Sequence, residues 1–272
     1  MRTLSLSPMT VLPCSPLEQI DAAVRSGFNA TGLRLFPINI TDFDIMSDIT
    51  MQRAIVQRIQ GTGLKILDIE VVRATPQTDV NSIVPALEFA SQLGARWLAV
   101  TSASLIDYQS SDEPSVVGCL SDICNVAEIC NMRVALEFMA FRGIQTLEDA
   151  IRIVKEVGHP AMGVTIDALH FFRSGGTIDA IATIDPHLIS CVQLSDAPSA
   201  PPSDLIEEAR QNRLYPGEGE LPLRDLMNVL PSDLAVSVEV ALRDRERLSA
   251  LDRAMRGAHA LRQVLGPSTG LQ

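Results

Sequence analysis

Four polar side chains stand near the ends of apolar stretches and have the types needed to hold a metal ion. Glu137 closes Arg133-Val-Ala-Leu-Glu137, Asp167 closes Gly163-Val-Thr-Ile-Asp167, Gln193 sits in Val192-Gln-Leu-Ser-Asp196, and Glu239 closes Ala235-Val-Ser-Val-Glu239. Aliphatic residues alternate with the polar one in each stretch, so the polar side chain faces away from the greasy pair. Three carboxylates and an amide gathered in a low dielectric repel one another unless a cation or hydrogen bonds compensate. A divalent ion is therefore expected among Glu137, Asp167, Gln193 and Glu239. An all-oxygen shell suits Mn2+ or Mg2+ better than Zn2+, which prefers Cys and His. His170, just beyond Asp167, offers a neutral imidazole to hydrogen-bond a substrate hydroxyl or to orient a ligand. His159 and His187 each precede a strand-like stretch, and His259 falls in the last helical one. Ile66-Leu-Asp-Ile-Glu70 adds Asp68 and Glu70 to the same interior, and Gly32-Leu-Arg34 adds Arg34. Arg34 and Glu70 are expected to contact substrate.

Strand-like and helix-like segments alternate along the whole chain. The strands are read at Thr3–Ser7, Ala30–Leu35, Lys65–Val71, Arg96–Thr101, Arg133–Phe138, Met162–Asp167, Ile189–Ser195 and Ala235–Val240. Amphipathic segments lie between them: Leu17–Gly27, Met51–Gly61, Val80–Gly94, Ser115–Asn131, Leu147–Gly158, Ile178–Asp185, Leu223–Val229 and Glu246–Leu265. Several end at glycine (Gly27, Gly61, Gly94, Gly158), as helix C-termini do. Eight such pairs in one chain predict an α/β fold, a (β/α)8 TIM barrel, as a single domain over 1–272. Barrel strands send one set of side chains outward and the other inward, which puts the four candidate ligands at the catalytic rim. The stretch 196–221 is the longest excursion. Its middle, Ser203–Asn212, reads as a short helix capped by Ser203 or Asp204, and the whole as a lid or specificity element.

The chain has 272 residues, 46% of them hydrophobic, and a net charge of −11 without a basic block. Phosphate-backbone binding rests on clustered Lys and Arg, so nucleic acid is not expected as a partner. No apolar run is long enough to span a bilayer and the N-terminus is a poor signal peptide, so no membrane partner is expected and the cytoplasm is the expected location. Five cysteines, an odd number without a Cys-x-x-Cys pair, read as reduced core thiols. The two lysines, Lys65 and Lys155, are misplaced for a Schiff base.

Nearly the whole chain resembles the xylose isomerase-like TIM barrels, the sugar phosphate isomerases and epimerases, with the resemblance carried mostly by its second half. Leu136-Glu137-Phe138 is similar to the family's strand-five glutamate motif, and Ile166-Asp-Ala-Leu-His170 to its Asp-x-x-His. Val192-Gln-Leu-Ser-Asp196 is similar to the strand-seven ligand segment, and Val238-Glu-Val240 to the final glutamate strand. Ketose 3-epimerases of the family use Glu, Asp, His and Glu; Gln193 stands in place of the histidine, as in the hydroxypyruvate-isomerase-like branch. Arg213-Leu-Tyr-Pro-Gly-Glu-Gly-Glu-Leu221 resembles that branch's Pro-Gly-x-Gly-Glu segment.

The resemblance implies a metal-dependent isomerase or epimerase of a small hydroxy-ketone or sugar, working by proton transfer through a metal-stabilised enediolate. In this scheme Glu137 and Glu239 move the proton, Asp167 and Gln193 complete the shell, and His170 and Arg213 hold substrate oxygens. A metal-dependent dehydratase of the 3-dehydroshikimate or keto-inositol type begins with the same enolisation. A non-catalytic sugar-binding barrel is the alternative outside enzymology, and the acidic charge argues against a repair endonuclease. A phosphate site is conceivable at Gly175-Gly176 or at Arg243 with Arg245. A homo-oligomer is expected by analogy.

Overall fold

The structure is a computed structural model that describes residues 2–243 and 247–266. Eight parallel strands close into a barrel in sequence order. They are β1 (Leu4–Leu6), β2 (Ala30–Arg34), β3 (Lys65–Ala74), β4 (Trp97–Ser102), β5 (Arg133–Glu137), β6 (Met162–Asp167), β7 (Ile189–Leu194) and β8 (Val236–Val238). The alternation read from the sequence governs the packing. Val134, Leu136, Val164, Ile166, Val192, Leu194, Val236 and Val238 are wholly buried, each worth about 1.5–3 kcal/mol of hydrophobic transfer. Ala30, Leu67, Trp97, Ala135, Cys191 and Ala235 form a separate apolar cluster, over which the Arg133 guanidinium sits 4.6 Å from the Trp97 ring centre.

The helices are α1 (Pro8–Val11), α2 (Pro16–Arg25), α3 (Ile49–Thr62), α4 (Val84–Gln92), α5 (Glu113–Ile129) and α6 (Leu147–Val157), followed by α7 (Ala168–Arg173), α8 (Ile178–Ala182), α9 (Leu205–Gln211), α10 (Leu223–Val229) and α11 (Ala250–Leu265). Capping boxes set the starts of α2 (Ser15 with Glu18) and α6 (Thr146 with Asp149). The α3 helix runs through Gly61 and ends at the left-handed Gly63, φ 69°, two residues later than expected. The segment before α4 is a 3-10 turn, Val80–Ile83, rather than the first turn of an α-helix. Glu246, the expected start of the last helix, lies outside the described residues. Ser249 caps the described part by accepting from Asp252 N at 3.1 Å.

Two short helices escape the sequence periodicity because they are too brief to show one. The α1 helix is tied to the other end of the chain by Arg253 of α11, which donates to the carbonyls of Thr10 (3.3 Å), Leu12 (2.7 Å) and Val11. The α7 helix starts directly after β6 with Asp167 as its N-cap. All five cysteines are free, four of them buried. Among the described residues no helix is long and apolar enough to cross a membrane.

The excursion after β7 folds back over the barrel mouth. Asp196 and Leu214 exchange backbone hydrogen bonds of 2.8 Å each way, and Arg213 N donates to Ala241 O at 3.1 Å. The Asp196 carboxylate gathers Gly217 N (2.8 Å) and Leu221 N (3.0 Å), so the Pro-Gly-Glu-Gly turn wraps around it. A Cβ on Gly219 would lie 2.5 Å from both Asp196 Oδ1 and Ala197 O, and only glycine fits there. The α9 helix is capped by Asp204, which accepts from Glu207 N at 2.9 Å.

Candidate active site

The C-terminal ends of β5 to β8 carry Glu137, Asp167, Gln193 and the adjoining Glu239, all buried. Neighbouring strands hold them in register: Thr101 pairs with Glu137 and Asp167 with Gln193. Ligand atoms of Glu137, Asp167 and His170 lie within 4.8 Å of one another, a spacing that one metal ion can bridge. His170 thus stands with two of the expected ligands, on the first turn of α7. Gln193 and Glu239 are joined instead to each other, with Gln193 Nε2 donating to Glu239 Oε2 at 2.6 Å. Ser7 Oγ donates to the same oxygen at 3.1 Å.

Arg213 occupies the centre of this group. Its Nη1 donates to Asp167 Oδ2 at 2.6 Å, and to Ser195 Oγ and Glu239 O at 3.3 Å each. Its Nη2 lies 3.5 Å from Glu239 Oε1 and 3.3 Å from His170 Nε2, and its Nε donates to Ala209 O at 2.8 Å. Every donor nitrogen of the fork is engaged inside the protein. The expectation that Arg213 holds substrate oxygens therefore changes: it orders Asp167, His170 and Glu239 relative to one another.

The carboxyls differ sharply in electrostatic setting. Burial works to raise Asp167, yet Arg213 and the His170 backbone N–H hold it below the usual carboxylate range. Burial, reinforced by Glu239 and Asp167, pushes Glu137 well upward. Glu239 rises to about 7 through burial, with Arg213 opposing and Asp167 and Glu70 adding to the shift. His170 is lowered to about 4, first by burial, so it is neutral at ordinary pH. Phe141 meets its ring edge-on at 5.4 Å between centres.

Two oxygens decide whether a cation fits. Glu137 Oε1 and Gln193 Oε1 are buried and have no hydrogen-bond donor. Bare acceptors of this kind are costly unless a cation or ligand meets them, and both are the hard oxygen type that Mg2+ and Mn2+ take. Asp167 and Glu239 keep further acceptor capacity, since each carboxylate oxygen takes more than one partner. The donor set fits a divalent ion.

The remaining candidates are arranged differently. Arg34 is paired with Glu70 (2.6 Å) and faces Asp42 (3.5 Å), so the two expected substrate contacts neutralise each other at the wall of the site. Gly176 is packed against the Phe171 ring and Gly175 makes a left-handed turn, φ 84°. Arg243 is ion-paired with Glu207, and Arg245 lies outside the described residues. Sequence reading passed over Ser7, Ser195 and Arg142. The two serines flank the strand ends, and Arg142 follows Glu137 by one short loop, which is the signal that could have drawn attention to it.

The chain is thus a parallel (β/α)8 barrel with buried carboxylates at the C-terminal ends of β5, β6 and β8 and a buried amide on β7. The chain belongs to the xylose isomerase-like TIM barrel family, whose pattern matches residues 20–263. It is 26% identical over 214 residues to a 3-dehydroshikimate dehydratase of Pseudomonas putida, covering 76% of this chain and 32% of that protein. It is 29% identical over 147 residues to an inosose isomerase of Halalkalibacterium halodurans, covering 52% and 51%. The chain thus spans about a third to a half of the length of these curated relatives. Among solved structures, the IOLI protein with a bound zinc atom superposes with a TM-score of 0.84 at 20% identity, covering 97% and 98%.

Proposed function

We propose that the protein is a divalent-metal-dependent enzyme that removes a proton next to the carbonyl of a small polyhydroxy ketone, in the first place an isomerase or epimerase. The observation that carries this reading is the pair of donorless oxygens, Glu137 Oε1 and Gln193 Oε1, beside Asp167, His170 and Glu239. One Mn2+ or Mg2+, held by Glu137, Asp167, Gln193 and Glu239, would polarise the ketone and ease loss of the adjacent proton. Zn2+ is an alternative ion if His170 joins the ligands.

Glu137 and Glu239, buried carboxylates at the C-terminal ends of β5 and β8, are the groups proposed to move the proton. Arg213 keeps Asp167 ionised and fixes the direction of the Glu239 carboxylate. His170, neutral, is a hydrogen-bonding partner for a substrate hydroxyl. Asp196 and its turn hold the excursion over the mouth, which limits water.

Elimination of a β-hydroxyl after the same first step is the second reading. It is supported by the 3-dehydroshikimate dehydratase that matches 76% of this chain. Incubation with Mn2+ in heavy water against a panel of hydroxy-ketones, followed by NMR, tests both. Deuterium at an α carbon with the formula retained supports isomerisation or epimerisation, and a new alkene signal supports elimination. Absence of both with every ketone, in a folded and Mn2+-loaded protein, contradicts the proposal.

A further inference from the structure

Arg142 lies on the loop that leaves β5, and that loop is held rigidly. Leu105 N donates to Phe141 O (3.1 Å), Gly143 N to Ala103 O (3.0 Å) and Arg142 N to Met139 O (2.8 Å). Ile144 N donates to Ser102 Oγ at 2.9 Å, and the missing side chain of Gly143 leaves the space that the Tyr108 ring fills. The loops after β4 and β5 are thereby zipped together, with Arg142 at the bridge to Ser104.

The Arg142 side chain is 9% exposed, and its Nε is buried with no hydrogen-bond partner. Among the described residues no carboxylate ion-pairs with it. Arg73 stands nearby at the end of β3, in register with Thr101 of β4, which is in register with Glu137 of β5. Two strand spacings, about 10 Å, separate the backbones of Arg73 and Glu137. Arg73 and Arg210 press on Arg142 as like charges, while Glu137 and Asp107 attract it. Arg142 is also one of the charges that hold His170 neutral.

Two neighbouring arginines at this point run against the rest of the molecule, whose net charge is −11. Arg142, with no carboxylate ion-paired to it among the described residues, lies close to Arg73 instead. A guanidinium removed from water without an anion is expensive, and its planar fork matches a carboxylate with two parallel hydrogen bonds.

We propose that Arg142, assisted by Arg73, seats a carboxylate of the substrate, so that the enzyme acts on polyhydroxy keto acids rather than on neutral sugars. This inference rests on the proposed chemistry at Glu137 and Glu239 and names the substrate class for it. The carboxylate on the β3–β5 side leaves the ketone end of a small ring or chain over Glu137 and His170. The compounds in the relatives' names differ on this point, since 3-dehydroshikimate is a carboxylate and an inosose is neutral.

The test is calorimetric titration of the Mn2+-loaded full chain with shikimate and quinate and with their neutral methyl esters. Wild type is expected to bind the acids at least about tenfold more tightly than the esters. Arg142→Gln is expected to erase that preference by weakening the acids about tenfold or more while leaving the esters unchanged. Arg73→Gln, at an exposed position that the fold does not need, is expected to weaken the acids about threefold. Equal affinity for acid and ester in wild type overturns the proposal, as does an Arg142→Gln protein that keeps the preference. If Arg142→Gln does not fold, an unchanged preference in Arg142→Met has the same force. Tighter binding of glycerol phosphate than of shikimate, lost in Arg142→Gln, would assign the two arginines to phosphate and also overturn it. Acid preference through Arg142 in a protein that exchanges no α-proton of any ketone leaves the seat standing and removes the chemistry. Exchange that ignores the carboxylate removes the seat alone.

Discussion

Arg213 Nη1 stands 2.6 Å from Asp167 Oδ2, with the two side chains 2% and 0% exposed. The residues are 46 apart in the chain, and the returning segment after β7 brings them together. Removing one partner of such a pair leaves a buried charge alone. Arg213→Met is expected to lower unfolding stability by about 3–5 kcal/mol. Arg213→Lys should fall between the two, because an ammonium cannot reproduce the fork. Urea denaturation measures both; a loss below about 1 kcal/mol in Arg213→Met would show the pair to be energetically idle.

Glu239 accepts from Ser7 and Gln193 and faces Arg213, and Gln at this position can keep the acceptor role without the charge. Glu239→Gln is expected to reduce kcat about 10²–10⁴-fold with the fold intact. Near wild-type turnover in a folded, metal-loaded variant would remove Glu239 from the proton transfer.

Asp68 rests against Gly32, and burial, then the charges of Glu70 and Glu239, push its carboxyl up to about 8. The folded chain therefore keeps a proton that the unfolded chain releases near pH 4. Between these limits the folded state binds more protons, so this group's contribution to stability falls as pH rises through the window. Asp68→Asn removes that loss. Its Tm gain over wild type is expected to be negligible at about pH 4 and to grow to several degrees at about pH 8. Calorimetry at both ends of the window checks this; the same shift at both would contradict the assignment.

Arg173 of α7 clamps the excursion, donating to Glu208 (2.8 and 2.7 Å) and to the carbonyls of Pro198 (2.7 Å) and Ser199 (3.3 Å). Arg173→Ala is expected to speed amide hydrogen exchange in 198–211 at least about tenfold while leaving β5 and β6 protected. Unchanged exchange there would mean that the backbone bridge between Asp196 and Leu214 holds the segment by itself.

The barrel and the inward set were legible because strand alternation is a local signal. Val134 and Leu136 going outward leave Glu137 no other face, and the same holds for Asp167, Gln193 and Glu239. What joins those residues was not legible. The Arg213 clamp depends on where the excursion lands, and a backbone bridge from Asp196 to Leu214 decides that. Arg142 was passed over for the same reason, since its position depends on the pairing of two loops at Ser104. The setting of His170 was not legible either: capping of α7 by Asp167, with His170 N donating to Oδ1 at 3.1 Å, puts its ring 3.8 Å from Glu137 Oε1. The shift from Gly61 to Gly63 as the α3 cap is a smaller case, in which both glycines fit the pattern and only the end of burial at Ile59 and Leu64 chooses between them.

The donorless oxygens at Glu137 and Gln193 are the groups proposed to mark a divalent-ion site. Isothermal titration of the metal-free chain with Mn2+, with Tm followed in parallel, tests it without knowledge of the substrate. One ion per chain, a Tm that rises with Mn2+ concentration, and loss of both in Glu137→Gln are the results predicted. No heat of binding and no change in Tm in the wild type would contradict the account and favour a non-catalytic barrel.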